Sequence, residues 1–240
     1  MQLSLRAVML LTVPIREVIE ATPRARIVRL DLGDRAFDYD AGQAVLIAPH
    51  GELRRVPYSI ASAPEEVRRE RMLELLVGAD PTESPSSPSF VPIAGALVDV
   101  EGPVGAFTFP GRPDVRRFLF IAGGTGIAPL RAMLRHALVV PYDSIGVFYS
   151  ARTPDDFAYE NELRALADAG RIDLRQTITR STAADWTGVR GRLTRDTLGD
   201  LVHDTATLCF VCGPASLVDE VPRLLEAMGI ARTRIRIEET

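Results

Sequence analysis

The 240-residue chain has few of the residues that mark metal, disulfide-bonded or nucleic-acid-binding proteins. It contains only two cysteines, Cys209 and Cys212, and three histidines, which are scattered along the sequence. A single Cys-x-x-C pair cannot by itself fill a four-ligand zinc or iron–sulfur site, and no metal is predicted. The net charge is −4 and no basic run stands out, so electrostatics gives no support for nucleic-acid binding.

Long apolar runs are also missing, and none is long enough to cross a bilayer. Residues 1–11 are apolar but interrupted by Arg6, and they lack a positive leader and an obvious cleavage site. They predict a strand rather than a signal peptide, which is consistent with a cytoplasmic protein. The two cysteines end a strand-like segment in which alternation should point the thiols in different directions. This favours two buried thiols, with a redox disulfide as the alternative.

Residues 1 to about 110 are rich in short β-type segments. Gly and Pro break them at close intervals, which predicts a small antiparallel barrel. The stretch 80–92 interrupts this pattern with four prolines and four serines and predicts a turn region or surface loop. The junction to the second half is expected at 111–114.

From residue 115 onward, strands alternate with helices. Strands are predicted at 118–122, 145–149, 172–178 and 207–211, and helices at 127–139, 157–169, 194–200 and 215–228. This alternation predicts a parallel sheet with helices on both faces and a ligand crevice at the carboxyl ends of the strands. The turn after each of the four strands therefore lies at one edge.

The most informative turn follows the first of these strands. Glycine permits positive φ and close ligand approach, and the first turn of the next helix offers free N–H groups and a positive dipole end to an anion. Pro129 falls in that first turn, where a missing N–H costs nothing, although a third glycine is usual there in a dinucleotide fingerprint. The alternative is a glycine-rich turn without a ligand. The predicted phosphate-binding residues are Gly123, Gly124, Thr125 and Gly126.

Five motifs occur in the order seen in the ferredoxin–NADP reductase family, which this chain resembles over residues 12–240. They are Ala-Gly-Gln at 41–43, Arg-Val-Pro-Tyr-Ser-Ile-Ala-Ser at 55–62, Gly-Pro-Val-Gly-Ala-Phe at 102–107, Gly-Gly-Thr-Gly-Ile-Ala-Pro at 123–129 and Cys-Gly-Pro at 212–214. The resemblance implies an FAD-binding β-barrel domain at 1–112 and an NAD(P)-binding α/β domain at 113–240. It also implies an FAD-dependent oxidoreductase that passes hydride from NAD(P)H to flavin and electrons to a separate protein or small molecule.

The resemblance implies roles for residues of the barrel. Tyr58 would lie against the isoalloxazine ring, and Ser59 would offer its hydroxyl near the flavin N5. Either a bulge would bring Arg55 to the flavin phosphates, or that contact would be lost. The alternative for Tyr58 and Ser59 is an ordinary half-buried strand. Backbone groups facing the flavin edge are implied for Ile60, Ala61 and Ser62.

In the second half, the glycine turn would cradle the pyrophosphate of the nicotinamide cofactor. Cys212 would sit near the nicotinamide C4, and Gly213 with Pro214 would let the cofactor pass. Glu238 matches an acidic residue near the family's C-terminus. The catalytic set implied is Tyr58, Ser59, Cys212 and Glu238.

Three departures from the family pattern concern FAD. Val56 stands where the arginine is usual, so that Arg55 lies one residue further back. The long stretch 80–92 replaces a short phosphate-binding turn, and we expect Ser86 or Ser87 to help there. The sequence ends without the aromatic residue that covers the flavin in many members.

The residues that follow the second and third strands of this half favour NADPH as the cofactor, with NADH as the alternative. Arg152 and Arg180 stand there, and a guanidinium fits a 2′-phosphate bidentately, although Asp155 and Asp156 could neutralise Arg152. The rival reading of the whole chain is an auxiliary electron-transfer subunit, or a flavin-poor binding module of the same fold, without turnover on its own.

Overall fold

The computed structural model describes residues 8–78, 91–180 and 186–240. Two six-stranded sheets form its framework, joined by the segment between β6 and β7. The strands of the first sheet are β1 Met9–Thr22, β2 Ala25–Asp31, β3 Ala44–Pro49, β4 Val56–Ser59, β5 Met72–Gly78 and β6 Leu97–Val104. Those of the second are β7 Arg117–Gly123, β8 Ser144–Ala151, β9 Asp173–Ile178, β10 Val189–Arg190, β11 Leu208–Gly213 and β12 Ile235–Glu239. The α-helices are α1 Pro64–Glu70, α2 Ile127–Ala137, α3 Glu160–Asp168, α4 Arg195–Gly199 and α5 Ala215–Ala227.

The first sheet is antiparallel in the order β4-β3-β6-β1-β2-β5. A bridge between Ile60 and Leu75 brings its two outer strands together and nearly closes a barrel. Alternate residues of each strand turn inward, which buries a core of aliphatic side chains. This core includes Val13, Val28, Leu30, Ile47, Leu73 and Val98. The predicted barrel is confirmed.

The second sheet is wholly parallel in the order β10-β9-β8-β7-β11-β12. Helices α2 and α3 pack on one face through side chains such as Leu130 and Leu163. Helices α4 and α5 pack on the other through Leu198 and Val221. The four predicted strands and four predicted helices all form, with ends within a few residues of expectation. Because every strand runs the same way, their carboxyl-end turns share one edge.

Three elements were not predicted, and one of them is the two-residue strand β10, Val189–Arg190, at the edge of the second sheet. Helix α1 begins at Pro64, with Glu65 and Glu66 in its first turn and Arg68 and Arg69 in its last, which is a helix signature that the sequence does contain. Strand β12 forms from the alternating Arg-Ile-Arg-Ile-Glu segment at 234–238, and it is the last strand of the sheet, beside β11.

The barrel packs against the α2 side of the parallel sheet. Barrel residues Ala61 and Leu76 belong to the same apolar cluster as Leu130 of α2. Below them, Phe109 stacks on Phe210 with ring centroids 5.5 Å apart. The predicted domain boundary at residues 112 and 113 falls between the two sheets and stays a prediction.

Among the described residues, we find no helix with the length and apolarity needed to span a membrane.

Candidate functional site

The glycine turn joins β7 to α2 and contains glycines of two different kinds. Gly124 has φ +56°, is exposed, and a Cβ built on it would meet no atom within 4 Å. Gly126 is buried, and a Cβ there would lie 2.4 Å from the carbonyl oxygen of Cys212. Gly123 is similarly tight, since its Cβ would lie 2.8 Å from Pro214. One glycine therefore leaves backbone open to a ligand, and two let the ends of β7 and β11 touch.

Tyr149 holds the open glycine in place. It lies in β8, is fully buried, and its hydroxyl donates to the carbonyl of Gly124 at 3.0 Å. The same hydroxyl accepts from the N–H of Ala158 at 3.2 Å. Burial raises the pKa of Tyr149, so the hydroxyl keeps its proton at neutral pH. Sequence reasoning placed Tyr149 at the edge of the sheet but did not assign it this contact.

The turns after β8 and β9 carry the two arginines predicted to select NADPH. The N–H of Arg180 donates to the carbonyl of Arg152 at 2.9 Å, and that of Thr179 donates to Ala151 at 2.9 Å. These bonds bring the two arginine positions side by side at the edge of the sheet. Arg180 is exposed and Arg152 half-buried.

Cys212 and Glu238 are neighbours at the ends of β11 and β12, where they pair in register. Burial raises the pKa of the Cys212 thiol, and the nearby Glu238 carboxylate raises it further. Burial also raises the pKa of Glu238 to about 7. The edge therefore presents a neutral thiol beside a carboxyl group that changes its protonation near neutral pH.

The two cysteines do not form a disulfide. Both thiols are free and buried. Cys209 packs in the cluster under α4 and α5, whereas Cys212 packs in the cluster on the barrel side. They thus lie on opposite faces of the sheet, which confirms the interpretation of two buried strand residues over a redox pair.

The predicted flavin strand is β4. Tyr58 is half-buried and packs against the edge of the barrel core. Ser59 is half-buried at the end of the strand. Arg55, just before it, pairs with Glu101 at 3.4 Å, and its buried Nε has no hydrogen-bond partner among the described residues. A buried donor without an acceptor is costly, and it suits an anionic group placed there.

Beyond β4, much of the backbone is already engaged within the chain. The N–H of Ile60 donates to Gln43 at 2.9 Å and that of Ala61 to Glu74 at 2.8 Å. The carbonyl of Ala61 accepts from Arg131 at 2.7 Å, and that of Ser62 accepts from the hydroxyl of Tyr39 at 2.7 Å. Arg131 was not singled out from the sequence. Ser86 and Ser87, named for the FAD phosphates, lie outside the described residues.

These features fit two nucleotide cofactors. The open backbone at Gly124 and the positive end of α2 suit a pyrophosphate. The unpartnered Nε of Arg55 suits a second anionic group at the barrel. A barrel joined to a parallel sheet with an open glycine turn is the architecture of flavin-dependent oxidoreductases that use nicotinamide nucleotides.

Comparison with known proteins identifies the family. Residues 120–222 match the family described as the oxidoreductase NAD-binding domain. The chain is 34% identical over 232 residues to ferredoxin–NADP reductase B of Sorangium cellulosum, covering 90% of this chain and 92% of that one. It therefore belongs to the ferredoxin–NADP reductase family. It is an NAD(P)H-dependent flavin oxidoreductase whose cofactors are FAD and NAD(P)H.

Two further proteins define the extent of the similarity. The NADH nitrate reductase of Volvox carteri is 27% identical over 260 residues, which is 92% of this chain but only 29% of that protein. The solved ferredoxin–NADP⁺ reductase of Neisseria gonorrhoeae, with bound FAD and NADP, superposes with a TM-score of 0.75 at 20% identity. The superposition covers 96% of this chain and 98% of that one, and it shows the shared fold.

Proposed function

We propose that this chain passes electrons from NADPH, through FAD, to a separate acceptor molecule. When bound, FAD accepts a hydride from C4 of the nicotinamide, which leaves as NADP⁺, and yields the two electrons to the acceptor. The observation that carries the proposal is the open, positive-φ backbone of Gly124 at the same sheet edge as Cys212 and Glu238. The chain's contribution to this chemistry is to bind and orient the two cofactors.

At the nicotinamide end, we propose that Gly123, Gly124, Thr125 and Gly126 hold the pyrophosphate. The first turn of α2, which contains Pro129, directs its free backbone N–H groups and the positive end of the helix dipole towards the pyrophosphate. Cys212 is neutral and buried, so its role is to pack against the ring and exclude water. Gly213 and Pro214 complete the floor of the site. Glu238 holds a proton below about pH 7.

At the flavin end, we propose that Tyr58 and Ser59 flank the ring and that Arg55 donates its Nε to a flavin phosphate. Arg55 would then share its charge between Glu101 and the phosphate. Because hydrogen bonds within the chain already occupy Ala61 on both its N–H and its carbonyl, we assign Ile60, Ala61 and Ser62 to shaping the strand. We also propose that residues 1–112 and 113–240 are the FAD and NAD(P) domains.

For the choice of nicotinamide, we propose that the 2′-phosphate of NADPH lies between Arg152 and Arg180. Their backbones are bonded to each other, so two guanidinium groups can reach one phosphate. Asp156 pairs with Arg24 of the barrel at 3.2 Å, so its charge is not directed at Arg152 alone. Replacing Arg180 by Ala should raise the KM for NADPH and leave that for NADH almost unchanged. Equal effects on both would contradict the assignment.

For the acceptor, a ferredoxin is the first candidate to test, because the Sorangium relative is named as a ferredoxin reductase. A small molecule is the alternative. The test uses the full chain with equal amounts of NADPH or NADH and either ferricyanide or a bacterial ferredoxin. We expect a yellow protein that reduces both acceptors faster with NADPH. Bound flavin without turnover would instead indicate an auxiliary subunit. A colourless protein that takes up no FAD would contradict the proposal.

A further inference from the structure

A cluster of charged side chains is buried where the barrel meets α2. We call it the Arg131 cluster, after the residue at its centre. The side chain of Arg131 is only 10% exposed, and that of Glu74, its nearest barrel carboxylate, is only 8% exposed. The members of the cluster are Arg131 and Arg135 of α2, Glu66 of α1, Glu74 of β5 and Glu162 of α3.

Arg131 makes contacts through its Nε, its Nη1 and the face of its guanidinium group. Its Nε donates to Glu162 at 2.8 Å and its Nη1 donates to the carbonyl of Ala61 at 2.7 Å. The same Nη1 lies 3.4 Å from Glu74 and 3.7 Å from Glu66. The planar group also lies over the ring of Tyr159, 4.6 Å from its centroid. A lysine, with one compact charge, cannot make these contacts together.

Arg131 connects the two halves of the proposed site. It lies in α2, five residues after Gly126, so it belongs to the helix that begins at the glycine turn. Its acceptor Ala61 is two residues after Ser59, the end of the predicted flavin strand. One side chain therefore links the element that would hold the nicotinamide nucleotide to the element that would hold the flavin.

Burying such a cluster is not an efficient way to stabilise a fold. The desolvation of buried charges offsets much of their attraction, and apolar side chains of similar volume often stabilise as well or better. A charged cluster nevertheless fixes direction and distance, because each bond works in only one geometry. The carboxylates facing Arg131 raise its pKa despite the opposing effect of burial, so it stays charged.

We propose that Arg131 is a positioning residue for hydride transfer. It fixes α2, and with α2 the glycine turn, relative to Ala61 and the flavin strand, and so sets how closely the two cofactor rings approach. This inference rests on the proposed function for the location of the rings. The part of the inference that connects the glycine turn to the flavin strand does not depend on the proposed function, because the contacts of Arg131 alone support it.

The test compares Arg131→Lys, Arg131→Met and Glu162→Gln with Arg164→Met as the matched control. Arg164 is also a helical arginine paired with a glutamate, Glu160 at 2.6 Å, but its side chain is 52% exposed and lies outside the cluster. A cavity of about 200 Å³ beside the cluster, lined in part by Ser62 and Met72, gives water access to the carboxylates left unpaired. If Arg131→Met does not fold, the other two variants carry the test.

Three measurements are needed on the purified full chain. Hydrogen exchange measures protection of segments 58–63 and 124–131. Stopped-flow absorbance measures flavin reduction at saturating NADPH, together with the long-wavelength band of nicotinamide–flavin contact. Calorimetry gives the dissociation constant of NADP⁺.

We expect the three cluster variants to exchange faster in both segments and to reduce the flavin roughly tenfold or more slowly, since small displacements of reacting groups are costly. The contact band should weaken, while NADP⁺ affinity should stay within about threefold because the turn itself is unchanged. The control should match wild type throughout.

Wild-type exchange in both segments would overturn the proposal. So would weaker NADP⁺ binding with unchanged reduction at saturation, because Arg131 would then serve binding alone. If NADPH does not reduce even the wild-type flavin, the proposed function fails, and exchange alone decides whether Arg131 couples the two segments.

Discussion

The hydroxyl of Tyr149 donates to the carbonyl of Gly124 at 3.0 Å, and this bond connects the interior of β8 to the one glycine of the β7–α2 turn at which an added Cβ would meet no atom within 4 Å. Gly124 adopts φ +56°, so its peptide orientation depends on support from its surroundings. The buried Tyr149 supplies that support without itself reaching the site.

Replacing Tyr149 by Phe should therefore weaken nicotinamide nucleotide binding. The change removes one of the hydrogen bonds to the Gly124 carbonyl, which still accepts from the N–H of Ile127, and it removes the acceptor of the Ala158 N–H. The loss is about 1–2 kcal/mol, which corresponds to a KM for NADPH raised roughly 5- to 30-fold. FAD content should not change. Tyr142→Phe, which removes only a bond to Arg171 at 2.7 Å on the surface, is the control. Steady-state kinetics with both variants checks this, and an unchanged KM would contradict the supporting role.

Replacing Gly126 by Ala should destabilise the fold. The new Cβ would lie 2.4 Å from the Cys212 carbonyl oxygen, and overpacking of this kind costs about 1–3 kcal/mol. Gly199→Ala, where a Cβ meets nothing within 4 Å, should be neutral or slightly stabilising. Thermal or denaturant unfolding of both variants measures the difference, and equal stabilities would show that the two strand ends can separate freely.

Replacing Glu238 by Gln should change the pH profile of flavin reduction. Because burial raises the pKa of Glu238 to about 7, the carboxyl group is protonated below that pH and charged above it. We expect the wild-type rate constant to titrate near pH 7 and the variant to lack this step. Because the pKa of Glu238 is higher in the folded than in the unfolded state, the wild-type protein should lose stability as the pH rises from about 4.5 to 7. The free energy of unfolding of the Gln variant should fall less than that of wild type over the same interval. Identical profiles would remove Glu238 from the site.

Both thiols should resist modification in the native protein. Cys209 and Cys212 are fully buried, and burial raises the pKa of Cys209 to about 12, so neither presents a thiolate at neutral pH. A thiol-reactive chromophore should label none under native conditions and two per chain in denaturant. Rapid labelling of either thiol in the native protein would show that β11 is more accessible to solvent than its packing in the structure indicates.

The sequence was sufficient for the parts of the fold that depend on local pattern. Strand–glycine–helix spacing placed the turn at Gly124, and short strands broken by Gly and Pro indicated the barrel. Alternation along β11 correctly put Cys209 and Cys212 on opposite faces. Helix α1 was not predicted although Pro64 and the charges around it signal a helix start, because Val67 is the one apolar residue between Glu65 and Glu70 and no apolar periodicity marks the helix.

The residues that sequence reasoning could not find act through partners distant in the chain. Arg131 meets Ala61, which lies 70 positions away in the chain. No periodicity in either segment reports such contacts, which depend on how the barrel docks on α2. The same holds for Tyr149, whose hydroxyl matters only because Gly124 lies opposite it.

The close approach of Gly123, Gly126 and Gly213 has a practical consequence for engineering. At these three glycines the main chain packs closely against neighbouring residues, so none of the three offers a position for a new side chain. A redesign from one nicotinamide coenzyme to the other must therefore work at the rim, through the loops that carry Arg152 and Arg180.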